Sequence, residues 1–294
     1  MDPQSLRWQS KLVLLIVVPA VAASVIFEAD AWAGLAPLVA AWTLGLSAAL
    51  GVLAWVARAG TPAAAATGAL LNASLMFATS DLPYRPWETA LAPVLIFLIL
   101  TSLATRSGCT RKQRLGTAEE RHGRNASQVA ANLGLAALVS TPAMHIWLAD
   151  AFPIRYSTRL PFFTTALAAL AEAAADTVSS ELGQVLGGRP WMLTTLRRVE
   201  PGTDGAISLA GTAAGVLTAG IVAGIGTVAI HGGAAMLWVS WGAGVFGLFF
   251  DSLLGATLER WGWLNNDGVN FLSTASAAAF ALATMTAAPI PGVG

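Results

Sequence analysis

Nine apolar stretches, each near the length a bilayer demands, divide the chain: 11–27, 35–57, 62–79, 89–105, 127–149, 161–185, 208–230, 234–258 and 268–287. A helix crossing ~30 Å of hydrocarbon needs roughly 20 mainly apolar residues, and only a helix or a closed barrel satisfies its backbone there. No run alternates with a period of two, so the reading is an all-α, polytopic membrane protein of about nine transmembrane helices. Hydrophobic residues make up 55% of the 294 and charged residues 11%, well under the ~25% of soluble domains. Several stretches are short or interrupted by glycine, so one or two are expected to be re-entrant or broken. Arg7 and Lys11, the run Leu12–Val18 and the small residues at 20–24 also fit a cleavable signal peptide. Because the apolar run continues to Phe27, we read it as the first membrane helix.

Charge sorts the connections into two sets. The N-terminus, Arg58, the 106–126 loop, the 186–207 loop and Arg260 carry thirteen of the 16 Lys and Arg residues, and only Arg85, Arg155 and Arg159 fall on the other side. The positive-inside rule therefore puts the N-terminus and the basic loops in the cytoplasm, in the manner of a bacterial cytoplasmic membrane protein. Basic and acidic residues balance at 16 each, so no net positive field recruits nucleic acid. The single cysteine, Cys109, excludes an intrachain disulfide and a C-x-x-C site, and His122, His145 and His231 have no metal-binding spacing.

Acids lie where lipid-compatible residues are expected. Glu172, Asp176 and Ser180 are four apart and share one helical face, with Thr177 and Glu181 in a second row beside it. A charge near the bilayer centre costs at least ~2.5 kcal/mol, and carboxylates this close repel unless a cation or protons intervene. A hard cation such as Mg²⁺ is the natural partner of such oxygens. The eighth stretch adds Asp251 and Ser252, then descends through Glu259 to Asn265, Asn266 and Asp267. Helix capping or pairing with Arg197, Arg198 and Arg260 is the competing explanation, and Glu259 and Asp267 read better as interfacial.

The 186–207 loop holds the turn signals Pro201-Gly202 and Asp204-Gly205, with Thr203 and Ser208 supplying hydroxyls before the next helix. Glycine-freed N–H groups at a helix start can cradle phosphate, and Arg197 and Arg198 can neutralise it, although a plain Pro-Gly turn accounts for the same residues. No Walker A sequence is present. Arg106, Arg111, Lys112, Arg114, Arg121 and Arg124 suit either a topogenic loop or a lid over polyphosphate. Asn125, Gln128 and Asn132 open the fifth stretch as packing amides or substrate contacts.

Taken together, Ala175–Gly183, Thr194–Ser208, Asp251–Ala256 and Trp263–Asp267 resemble an integral-membrane family that includes plant phytyl-phosphate kinase and animal transmembrane protein 19. Gly68-Ala-Leu and the stretch Arg124–Gly134 fit the same pattern more loosely. The resemblance covers residues 60–285, which divides the chain into residues 1–60, of unassigned role, and a kinase-like membrane domain at 61–294. It implies phosphate transfer from a nucleoside triphosphate (CTP, ATP or GTP) to a prenyl monophosphate, in salvage towards tocopherol and related quinones. In that reaction Asp176, Glu181 and Asp251 would be catalytic and, with Asp204, hold Mg²⁺. Arg197, Arg198, Gly202, Thr203, Gly205, Ser208, Lys112 and Asn266 would contact nucleotide phosphates, with Thr177, Ser180 and Ser252 as supporting hydroxyls. The prenyl tail is expected between the sixth to ninth stretches. A cytidylyltransferase making a CDP-lipid, and a secondary transporter with these acids as ion sites, are the alternatives; the oligomeric state is not legible.

Overall fold

The apolar stretches fold as helices, but fewer of them are straight spans than nine. The structure, a computed structural model, describes residues 6–116, 123–152 and 160–287. The first helix, α1 (Arg7–Leu35), runs 29 residues, well past Phe27, and buries a narrow stripe of Val13, Val17, Val21 and Val25 at four-residue spacing. Pro37 starts α2 (Pro37–Val56) and Pro62 starts α3 (Pro62–Ala78), the position where a missing N–H is harmless. Next come α4 (Leu91–Arg106) and a short α5 (Cys109–Leu115), joined at left-handed Gly108 with a 63° bend. The fifth stretch is broken: α6 (Ala126–Val139) and α7 (Pro142–Ala151) meet at 65°, because Thr141 caps a new helix and Pro142 cannot extend the old one. The remaining helices are α8 (Leu160–Leu186), α9 (Leu209–Ala229), α10 (Ala234–Leu254) and α11 (Asn266–Ala287).

Five of these helices are long and apolar enough to cross a membrane, or seven if each bent pair counts once. By length and composition among the described residues, this is fewer than the nine stretches expected, the difference being α3 and α8. α3 is short at 17 residues. α8 has ample length, 27 residues, but its acids and hydroxyls set it apart from the five. It tolerates them because it is the central helix, enclosed by α4, α6, α9, α10 and α11. The all-α class stands with one small addition: β1 (Trp191–Met192) pairs antiparallel with β2 (Ala206–Ile207) and closes the α8–α9 loop as a hairpin.

Helix ends gather in two groups. Asn265 donates to the Leu6 carbonyl at 3.0 Å, Ser127 to Asp267 at 2.6 Å, Arg106 to the Ala57 carbonyl at 2.7 Å, and Arg260 reaches Met192 at 3.7 Å. The basic connections thus share one end of the bundle, as their charge predicts. At the opposite end Thr43 meets Tyr84 at 3.0 Å and His231 meets Glu88 at 3.3 Å. α1 packs on α3, α6 and α11, so the N-terminal helix joins the same bundle as the rest.

Small residues set the α8–α9 distance. A Cβ on Gly211 would lie 2.6 Å from the Ser179 carbonyl oxygen, and one on Gly215 would lie 2.9 Å from that of Ala175. Close backbone approach of this kind is how membrane helices gain contact without a hydrophobic driving force. Gly211→Ala is expected to lower the thermal midpoint of the detergent-solubilised protein, at a cost of about 1–3 kcal/mol from forced separation. Gly242→Ala, whose added Cβ meets nothing within 4 Å, should leave the midpoint unchanged or slightly raised.

Candidate active site

Carboxylates from two helices converge beneath the basic end. Glu172 and Asp176 lie one turn apart on α8, and α10 brings Asp251 against them. Gly247 makes this possible, because a Cβ there would overlap the Glu172 side chain, and Gly244 leaves room for the α8 backbone, its added Cβ falling 3.2 Å from the Glu172 nitrogen. Glu172 is 1% exposed, and neither of its oxygens has a hydrogen-bond donor among the described residues. One Asp251 oxygen is likewise buried without a partner. Orphaned buried acceptors are rare in folded proteins and point to a ligand, ion or proton.

Asp176 and Asp251 open onto a cavity of about 260 Å³ at the basic end. Its roof is the segment Pro201–Ser208, shaped by Gly202 (φ +86°) and Gly205 (φ +71°), both in the left-handed region. Gly205 also lies so close to the end of α10 that an added Cβ would overlap the Ala256 backbone. There α10 continues into a π-helical turn, Gly255–Glu259, and Glu259 lines the cavity with Asp204. Such turns recur at functional sites because they change which way a side chain points. Burial raises the Asp204 carboxyl above its ordinary value, and the nearby Arg260 guanidinium counteracts this. Ser180, Ser252, Thr203, Ser208 and Asn266 also line the walls. The Ser208 hydroxyl accepts from the Gly211 N–H at 3.1 Å as the cap of α9.

Among the described residues four carboxylates line this cavity and no lysine or arginine does. Several expected residues lie elsewhere. Glu181, five residues from Asp176 and so on another face of α8, pairs with Lys112 at 2.5 Å and accepts from Thr105 at 3.1 Å. Lys112 is 1% exposed and also donates to the carbonyls of Ala104 and Thr105, so its ammonium is held inside the protein and does not line the acidic cavity. Arg198 stacks on Trp191 with its guanidinium carbon 4.4 Å from the ring, and Arg197 closes the hairpin through its carbonyl; both face outward. Asn125 and Gln128 form a reciprocal capping box at the start of α6. Asn132 accepts from Asn270 at 3.1 Å, and Thr177 accepts from Arg124 at 3.4 Å. Residues that the sequence did not single out but that line the cavity are Ser179, Gln184, Thr212, Asn270 and, from the interfacial group, Glu259. Asn266 and Asn270, four apart in one helix, were a legible signal.

Among the described residues no group of three or more His, Cys, Asp or Glu side chains converges as a closed metal cage. Two facing carboxylates with hydroxyls and amides on the same walls do suit Mg²⁺. That ion keeps water and substrate phosphate oxygens in most positions and takes one or two carboxylates from protein.

The family described as integral membrane protein DUF92 matches residues 45–278. An uncharacterised membrane protein of Synechocystis is 30% identical over 64% of this chain and 71% of its own length. An uncharacterised membrane protein of Methanocaldococcus jannaschii is 42% identical over 37% of this chain and 45% of its own. Protein VTE6, chloroplastic, of Arabidopsis thaliana is 27% identical over 67% of this chain and 59% of its own length. No solved structure matches.

The Lys112–Glu181 pair yields a test of the revised assignment. Lys112→Met leaves a partly buried carboxylate unpaired and should destabilise the protein by about 3–5 kcal/mol, and the double variant Lys112→Met/Glu181→Leu should recover most of that loss. Thermal unfolding in detergent reads both; a double variant no more stable than the single would restore a separate role for Glu181.

Proposed function

Because the chain belongs to the DUF92 family of integral membrane proteins, we propose that it is a membrane phosphotransferase of the prenyl-phosphate kinase type. It passes the terminal phosphoryl group of a nucleoside triphosphate to a prenyl monophosphate and forms the diphosphate. The observation that carries this reading is the convergence of Asp176 and Asp251 in one polar cavity, roofed by the glycine turn and placed at the basic end of the bundle.

An all-acidic cavity repels a triphosphate unless divalent cations accompany it, and a magnesium-loaded nucleotide meets that condition. Mg²⁺ supplies charge neutralisation on the transferred group when bound. Asp176 and Asp251 would hold it, with Ser252 and Asn266 orienting its water ligands. The N–H groups of the 202–205 turn would orient the phosphates in place of the expected arginines. An oxygen of the acceptor phosphate forms a bond to the γ-phosphorus while the bond to the β–γ bridging oxygen breaks, and the nucleoside diphosphate leaves. The acceptor is already ionised near neutral pH, so no strong general base is required.

Asp176→Asn and Asp251→Asn should each lower turnover of geranylgeranyl monophosphate with CTP, ATP or GTP by about 100-fold or more, with unchanged elution from size exclusion. Chelating divalent ions should stop the reaction and Mg²⁺ restore it; full activity of either variant would remove the acids from the chemistry. Release of diphosphate in place of a nucleoside diphosphate would instead identify a cytidylyltransferase.

The cavity and the basic loops are assigned to the cytoplasmic face by charge. Cys109 is exposed at that end and is the chain's one cysteine, which makes it a natural probe. A membrane-impermeant maleimide should label it in inside-out vesicles and not in right-side-out ones. The reverse pattern overturns the orientation.

A further inference from the structure

The buried stripe of α1 ends in an amide. Val25, Val21, Val17 and Val13 recur every four residues, and the next position on the same face is Gln9, 7% exposed. A fifth apolar side chain would simply continue the stripe. What crosses the helix at Gln9 is the connection between α10 and α11, an irregular segment whose buried backbone groups must find partners. Gln9 donates to the Trp263 carbonyl at 2.8 Å and accepts from the Asn265 N–H at 2.8 Å, so both ends of one side chain serve that short segment. Gly268 leaves room for it, since a Cβ there would lie 3.0 Å from Gln9 Oε1.

Asn265 completes the clamp. Its amide nitrogen donates to the Leu6 carbonyl at 3.0 Å and to Ser10 Oγ at 2.9 Å, and its oxygen accepts from the Gly268 N–H at 2.8 Å as the cap of α11. The start of α1 is thereby tied to the residue that starts α11. The residues on either side of the clamped segment line the acidic cavity: Glu259 before it, at the end of the π-helical turn, and Asn266 directly after Asn265. Where Asn266 points therefore depends on where α11 begins, and Gln9 holds that beginning in place. Unwinding α11 by a single residue would swing a side chain in its first turn by about 100°.

We propose that Gln9 is a positioning residue of the acidic cavity, which acts through Asn265 to hold Asn266 at the divalent-ion position. Sequence assigns no role to residues 1–60, and the clamp makes the first helix part of the site. The proposal rests on Asp176, Asp251 and Asn266 forming an ion site, and is independent of which phosphate is transferred.

The test is titration of Mn²⁺ alone into the full chain in detergent, followed by electron paramagnetic resonance, without nucleotide or prenyl phosphate. Gln9→Met, similar in length but unable to make either bond, should raise Kd about tenfold with the number of sites per protein unchanged. Asn266→Ala should raise Kd as much, and Gln9→Met/Asn266→Ala no more than Asn266→Ala alone, because the two residues act as one unit. Val13→Ala, one turn along the same stripe, should lower the thermal midpoint and leave Kd at the wild-type value. A residue that serves packing alone moves the midpoint or the number of sites, as Val13 does, and not Kd. Ser10→Ala removes one bond of the clamp from a half-buried position and should raise Kd about threefold, which keeps the test decisive if Gln9→Met fails to fold. Wild-type Kd in Gln9→Met, or in Ser10→Ala where only that variant folds, overturns the proposal, as do fully additive effects in the double variant. Failure of the wild type to bind Mn²⁺ overturns the ion site and the proposal together. These Kd shifts without any phosphoryl transfer would uphold the positioning role and overturn the kinase reading alone.

Discussion

Ionisable oxygen atoms buried inside a membrane bundle are the constraint around which this structure is organised. Glu172 and Asp251 have buried oxygens with no donor, and Asp176 opens on the same pocket. Each would cost several kcal/mol if it faced lipid. The fold meets that cost by enclosing α8 within five other helices and by using glycine where the carboxylates need room. The small residues at 244, 247, 211 and 215 are therefore part of the polar site as much as of the packing. They let α9 and α10 approach α8 closely enough that its acids meet the cavity and one another, never hydrocarbon.

Charge is segregated across α8. One side presents Asp176, Asp204, Asp251 and Glu259 to a cavity that no lysine or arginine lines among the described residues, with Arg260 near Asp204, and the other side faces a cavity lined by Arg58, Arg106 and Arg124. The Lys112–Glu181 pair stands on the cationic side and neutralises the one α8 acid that turns that way.

Much of this was legible in the chain, and the misses have physical causes. Apolar length located every described α-helix except the short, basic α5, and the basic connections that the structure describes gather at one end of the bundle. Length alone did not show which stretches are straight: Pro142 breaks one, and α8 is central and therefore polar. Helical periodicity put Glu172 and Asp176 on one face, and it also separated Glu181 onto another; what the sequence hid was the remote Lys112 that claims it. Arg197 and Arg198 looked like phosphate ligands because they flank a glycine turn, but the two-residue strand pair folds them outward. Glu259 reaches the cavity through a π-helical turn, which no periodicity of 3.6 reveals. Asn125 and Gln128 were readable as a capping box, since an N-cap amide followed three residues later by glutamine before an apolar run is its signature.

In the proposed site Asp176 and Asp251 would share a divalent ion with a bound nucleotide. Electron paramagnetic resonance of Mn²⁺, titrated into purified protein with a non-hydrolysable nucleoside triphosphate analogue, tests it most directly. A bound-ion signal is expected in the wild type and is expected to be lost in Asp176→Asn and in Asp251→Asn. Undiminished Mn²⁺ binding in both variants would contradict it.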